Sequence, residues 1–240
     1  MCAQFMLRAS VQEISRSLQI TEASLRKNEG PLSQSLKKRV LPHSLGWVAR
    51  CSDQKRVLSS MTFSLLPHWS KLKQVRFATH NARLESTHEK DQKHSWIFEK
   101  PTWKEAFLKR HCVVPMTHFF EPIYTGKWAG HMVQFKSKDH HMILWAAGVW
   151  EEWIGPDGEV VDSFAIITDQ PHEFVKRSGH DRSPLFLTEK GVNEWLREGE
   201  SQNPMELVHL LRNHVYSAPL TLEIDRPLKP GWEKKIKPLE

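Results

Sequence analysis

The sequence predicts an α+β fold with an antiparallel or mixed sheet, in a single domain spanning residues 1–240. Three observations predict it. Apolar residues recur at helical spacing near the start, in the middle and toward the end of the chain, and the stretches between them read as strands. The resulting order is helix, strands, helix, several strands, then helices, which is not the alternation of βαβ units. An apolar fraction of 39% with ten Trp and eleven Phe in 240 residues supplies a core rather than a disordered chain.

The first helix is predicted over SVQEISRSLQI, where Val11, Ile14 and Leu18 stand at helical spacing. Residues 21–40 are polar, carry Gly30-Pro31 and Lys37-Lys38-Arg39, and read as a loop or a weakly held helical excursion. From Pro42 to Leu66 the stretches LGWVAR and MTFSLL predict strands. PTWKEAFLKR reads as a helix with a capping box, Thr102 as N-cap and Glu105 three residues on. Its Trp103, Ala106 and Phe107 would face inward, and Lys109-Arg110 suit the C-terminal end. HCVVPMTHFFE, HMVQFKS, HMILWAAGVWEEW and SFAIITDQ then predict strands, with KSKDHH and GPDGE supplying turns. SPLFLT adds a short strand, Thr188 caps a helix over EKGVNEWLREG, and NPMELVHLLRN is the last helix, with Met205, Leu207, Val208 and Leu211 inside.

Composition narrows the function classes. No run approaches the ~20 apolar residues that span a bilayer, and Arg8, Ser10 and Gln12 interrupt what would be a signal peptide. Three cysteines, Cys2, Cys51 and Cys112, make no disulfide framework and no CxxC zinc pair. A reducing, cytoplasmic location is expected, nucleoid-associated in a bacterium. The fourteen histidines, DHH at 139–141 among them, show no ligand spacing with a second cluster, so neither metal nor cofactor is expected. Lys and Arg number 34 against 28 Asp and Glu; the net charge of +6 suits a polyanionic partner without requiring one.

Four places carry chemistry. In MCAQFM, removal of Met1 would leave Cys2 with a free 1,2-aminothiol, an amine of pKa about 7.7–8.0 beside a thiol of about 8.5. In THNARLES, Asn81, Arg83 and Glu85 alternate with Ala82 and Leu84, either as a solvated edge strand or as an amide that orients a reactive group beside a phosphate-gripping guanidinium. In FFEP, Glu121 ends an apolar strand, pointing to water or, beside aromatics, poised as a general acid. In SGHDRSP, His180 is either a turn residue paired with Asp181 or part of a site with Arg182.

Taken together and in this order, Cys2, Asn-Ala-Arg-x-Glu, the aromatic-Glu strand end and His-Asp-Arg-x-Pro resemble the SRAP family, the SOS response-associated peptidases or abasic-site processing proteins. The resemblance runs from Cys2 to about residue 197 and more loosely to 220. It implies a compact α+β fold with an open barrel-like sheet and peripheral helices, and binding to single-stranded DNA as an expected monomer. It implies Cys2 as nucleophile with Asn81, Glu121 and His180 in one pocket. The aminothiol would condense with the aldehyde of an abasic deoxyribose to a thiazolidine, which only an N-terminal cysteine allows. Glu121 would shuttle protons, His180 would bind or protonate the sugar hydroxyl, and Asn81 would orient the amine or Glu121. Arg83 and Arg182 match family positions for phosphate contacts. Trp69 in LPHW would stack on a base, if it is not core, and Pro42 would wedge beside one.

The chain departs from the family at several points. Ala3 and Gln4 replace the usual Gly-Arg after Cys2, which removes a phosphate-gripping Arg. The usual Trp-Gly-Leu-x-Pro run reads FSLLP, with Ser64 and Leu65 in place of Trp-Gly, and Pro122 follows Glu121 where Trp is typical. None removes a catalytic group. Covalent capture of abasic sites is therefore the expected function, protecting the lesion during a DNA-damage response. The alternatives are a cysteine peptidase, active on its own N-terminus among other peptide bonds, and a DNA-binding module without crosslinking chemistry.

Overall fold

The computed structural model describes residues 4–20, 39–87, 93–139, 142–197 and 203–235. The chain opens with β1 (Gln4–Met6), α1 (Val11–Leu18), β2 (Arg39–Val40) and the hairpin β3 (Leu45–Ser52) and β4 (Lys55–Phe63). β5 (Asn81–Arg83), β6 (Glu85–Thr87), β7 (His94–Trp96) and α2 (Lys104–Lys109) lead to β8 (His111–Met116), β9 (His118–Ile123) and β10 (His131–Ser137). β11 (Leu144–Ile154), β12 (Val160–Asp169), α3 (Glu173–Arg177), β13 (Ser183–Pro184), α4 (Glu189–Trp195), α5 (Pro204–Asn213) and β14 (Leu220–Pro227) complete the order.

β11, β8, β3, β4 and β12 pair in succession, and β12 pairs back onto β11, so the barrel-like core is a closed five-strand ring. Its only parallel seam within that ring is short, Ser163 opposite Thr62 and Phe164 opposite Phe63. A second, antiparallel sheet runs β14-β10-β9-β1-β2. Between it and the ring lie Phe5, Phe63, Phe119, Phe135 and Phe164, all 1% exposed or less. Burying one such side chain contributes about 1.5–3 kcal/mol. The helices cover the other side of the ring around Ile14, Phe107, Trp195 and Leu211. Trp195 there donates its indole N–H toward the carbonyls of Cys112 and Gly148 at 3.1 and 3.2 Å.

Most elements follow the pattern of the sequence. Ser10 caps α1 and Glu13 answers it, and Thr188 caps α4 by accepting from the Gly191 amide. The polar run 21–38 and His140-His141 lie outside the described residues. Two expectations are corrected. HCVVPMTHFFE is not one strand: it splits at Thr117 into β8 of the ring and β9 of the second sheet. The Thr117 hydroxyl donates to the Met6 carbonyl and accepts from the Arg8 amide, which ties the crossover to the end of β1. Thr102 does not cap α2: the N-cap is Trp103, without a side-chain bond, because the amides of Trp103 and Lys104 both donate to the Lys100 carbonyl and Trp103 is buried.

Ser64 shows why FSLLP departs from the family pattern at a cost. Its φ is +123°, a region glycine takes freely, and its hydroxyl is buried without a hydrogen-bond partner among the described residues. Ser64→Gly is expected to stabilise the fold by about 1–2 kcal/mol, relief of strain less the added chain entropy of glycine. The midpoint of denaturant unfolding should rise; an unchanged or lower midpoint contradicts the strain.

Candidate active site

Glu121 and His180 meet in the interior. β9 turns Phe119, Glu121 and Ile123 to the same buried face, and the Glu121 side chain is 0% exposed. His180, 6% exposed, sits in the turn after α3 and brings Nε2 to 3.3 Å from Glu121 Oε2. Its other nitrogen, Nδ1, is 2.7 Å from the Arg182 carbonyl oxygen and 3.2 Å from the Arg182 amide nitrogen, which holds the ring with Nε2 toward the carboxylate. The Asp181 carboxylate is 3.8 Å from Nδ1 and largely exposed, so it is not the ring's main partner. A carboxylate and an imidazole at this distance can exchange a proton in either direction.

The turn that carries His180 is built on glycine. Gly179 has φ +96°, and a Cβ on it would lie 2.3 Å from the Thr125 carbonyl oxygen. Only a residue without a side chain lets the 124–126 loop close against this turn, so the end of β9 and His180 are locked together.

Asn81 and Arg83 reach the neighbourhood through β5, which pairs parallel with β12: Asn81 opposite Ile166, Arg83 opposite Thr168. On the other edge of β12, Thr168 is opposite Pro184. The HDRSP turn and the NAR strand thus flank the same end of β12. Ala82 and Leu84 are buried. Asn81 is 8% exposed, and neither its amide oxygen nor its nitrogen has a hydrogen-bond partner among the described residues. It makes no hydrogen bond to Glu121 or His180. A buried group left unpaired costs about 1–3 kcal/mol, which marks this amide as one built to receive something other than the fold.

Around this end of β12, Arg83, Arg182, Lys100 and Arg212 stand among the carboxylates Glu85, Glu99, Asp169 and Asp181. Burial and then the charge of Arg83 lower the pKa of Arg182, and burial followed by Arg83 and Arg182 lowers that of Lys100. The carboxylates beside them, Glu85 and Asp169, are both bound by Arg212. The neighbouring cations disfavour the charges of Arg182 and Lys100, and a phosphate among them would reverse that sign. Lys100 was not legible in the sequence: it precedes a misplaced helix start, and only the fold sets it beside two arginines 17 and 82 positions away in the numbering. It donates to the Ser86 hydroxyl.

Trp69 is not core: it is 45% exposed and its indole N–H donates to the Pro101 carbonyl at 3.3 Å, next to Lys100. The half-buried Pro42 stands in the turn before β3, next to His43. His43 lines a cleft of about 380 Å³ with Thr62, Ser64, Thr79 and Ser163. His80, the residue before Asn81, is held neutral near pH 7; chiefly burial brings its pKa to about 4. Cys2 lies outside the described residues. Among the described residues no group of three or more His, Cys, Asp or Glu is placed to hold a metal ion, and no helix is long and apolar enough to cross a membrane.

The chain is 27% identical over 155 residues to the abasic site processing protein YoqW of Bacillus subtilis, a match covering 65% of this chain and 63% of that relative. It is 27% identical over 220 residues to the abasic site processing protein HMCES of Mus musculus, covering 79% of this chain and 58% of the relative. The chain thus spans a little under two thirds of the length of these relatives. A crystal structure of a protein from Bacteroides thetaiotaomicron superposes with a TM-score of 0.70 at 21% identity, over 97% of this chain and 99% of that one. Another, from Bordetella bronchiseptica, gives 0.65 at 20% identity over 94% and 100%. These two share the fold. The model of the SOS response associated peptidase (SRAP) family matches residues 1–224, and the chain belongs to that family.

Proposed function

We propose that the chain captures abasic sites in single-stranded DNA covalently, through Cys2 once Met1 has been removed. The observation that carries this reading is the buried Glu121–His180 pair at 3.3 Å beside a cluster of three cations. Two further facts support it. The names of the relatives above are those of abasic site processing proteins. Only Ala3 separates Cys2 from Gln4, a reach of about 7 Å at full extension, and Gln4 pairs with Phe120, the neighbour of Glu121.

The chemistry balances as follows. Glu121 gives a proton to the ring oxygen of the abasic sugar while the C1′ hydroxyl loses one, which opens the ring to the aldehyde. The α-amine of Cys2 adds to the aldehyde carbon, and the carbinolamine takes a proton from the same pair and loses water. The thiol sulfur then adds to the iminium carbon, the nitrogen keeps its proton, and the thiol proton returns to the Glu121–His180 pair. One C–N and one C–S bond form, one water leaves, and nothing is oxidised or reduced. The unpaired Asn81 amide orients the amine, and Arg83, Arg182 and Lys100 hold flanking phosphates. Holding amine, thiol and aldehyde together supplies much of the acceleration.

Intact mass spectrometry after mixing with an abasic single-stranded oligonucleotide tests the reading. The expected mass is the chain without Met1 plus the oligonucleotide less one water. An active protein that retains Met1 in full, or a protein that yields no adduct, overturns it.

A further inference from the structure

We propose that a groove on the outer face of the second sheet binds a nucleotide of the same single strand, away from the lesion, with Trp232 and Tyr124 as its stacking platform. The proposal rests on the reading that the chain binds single-stranded DNA. The groove, about 320 Å³, is lined by Pro122, Tyr124, Met132, Arg226, Lys229 and Trp232, with Lys235 at its edge. Pro122, Met132 and Arg226 are directly opposite one another across β9, β10 and β14 and therefore share one face. Glu121 is opposite Val133 and points to the other. The two faces join round the end of β9, where Tyr124 adjoins Thr125, whose hydroxyl donates to the Gly179 carbonyl at 3.4 Å. The groove thus begins beside the His180 turn.

Its chemistry is that of a nucleotide subsite. The Trp232 indole packs against Gly130: a Cβ there would be 2.9 Å from its ring, and Gly130 has φ +81°. An indole packed in this way and half-buried in the groove wall has little side-chain entropy left to lose on stacking. Arg226, Lys229 and Lys235 supply positive charge, and among the described residues no carboxylate lines the groove. The nearby Asp225 is gripped by Arg39 through two N–H groups, at 3.0 and 2.5 Å, as well as reached by Arg226. Aromatic faces with interleaved cations are how proteins hold single strands without reading sequence. Pro122 removes the bulk of the usual Trp from this face, and Trp232, from a segment beyond the family match, supplies an indole in the same groove.

The test uses undamaged oligothymidylates of about four and about twelve nucleotides, with binding read by fluorescence anisotropy on the full chain. Trp232→Ala is expected to weaken binding of the longer strand about five- to 150-fold, as for loss of a stacked base. Its effect on the shorter strand should be at least fivefold smaller, and Trp232→Phe should restore most of the loss. Lys229→Gln with Lys235→Gln should flatten the dependence on salt. Photocrosslinking with 5-iodouracil in the longer strand should label Trp232 or Tyr124. Equal affinity of wild type and Trp232→Ala for the longer strand overturns the groove while leaving covalent capture intact. Trp232-dependent binding without any abasic adduct upholds the groove and sinks the capture reading. An acidic peptide that binds here while oligothymidylate does not overturns the nucleotide in favour of a protein partner. Unfolding midpoints of each variant exclude loss of fold as the cause.

Discussion

Cys2→Ser is expected to abolish the stable adduct with abasic single-stranded DNA while leaving non-covalent binding nearly unchanged. Serine keeps the amine and can still form an imine. Its hydroxyl closes only to an oxazolidine, which water reopens far more readily than a thiazolidine. The other two cysteines serve as controls for different reasons. Cys112 is fully buried in β8, and burial pushes its thiol well above the ordinary range, so it is not a thiolate near neutral pH. Cys51 is only half-buried in β3, but its nitrogen is an amide and cannot condense with an aldehyde. Cys51→Ala and Cys112→Ala should therefore capture DNA at the wild-type yield. Denaturing gel shift of an end-labelled abasic oligonucleotide separates adduct from complex, and anisotropy with undamaged DNA measures binding. A wild-type yield of heat-stable adduct from Cys2→Ser would reject the thiazolidine.

What the sequence made legible depended on whether a single segment carried its own signal. HMVQFKS matches β10 end to end because the strand starts after Gly130 and stops at a turn. Glu121 and His180 stood out because a carboxylate behind two phenylalanines and an imidazole after Gly179 break local patterns. Their pairing at 3.3 Å joins β9 to the turn after α3 across 59 positions, and no spacing rule reports that. Thr117 was passed over because apolar residues continue on both sides while the chain changes sheets there. β1 is too short to declare a period, yet it sets Gln4 against Phe120. Lys100, Trp232 and the groove beyond β14 appear only when distant segments are brought together. Trp69 shows the opposite case: one residue in isolation left core and surface readings open, and its exposure decides for the surface.

Glu121→Gln should slow adduct formation about 10²–10⁴-fold at saturating protein, the usual cost of losing general acid–base catalysis. The substitution keeps the side chain's size, so packing among Phe119, Ile123 and His180 persists. What it loses is the ability to give up and recover a proton, and His180 Nε2 then faces an amide rather than a carboxylate. Reversal of a preformed adduct should slow as well, because the same proton transfers run backwards. Arg83→Ala should act on a different quantity. Arg83 belongs to the cation cluster, so its removal weakens capture at low protein and reduces the salt dependence, with a smaller effect on the plateau rate. His180→Ala falls between, since the imidazole touches both the proton pair and the HDRSP turn. Single-turnover adduct formation against protein concentration resolves the three. If Glu121→Gln moves only the half-saturation point while Arg83→Ala lowers the plateau, the proton shuttle and the phosphate grip have been assigned to the wrong residues. If all three lower the plateau equally with unchanged half-saturation, the cluster and the buried pair act as one unit on the chemical step, and phosphate contacts must come from elsewhere on the surface.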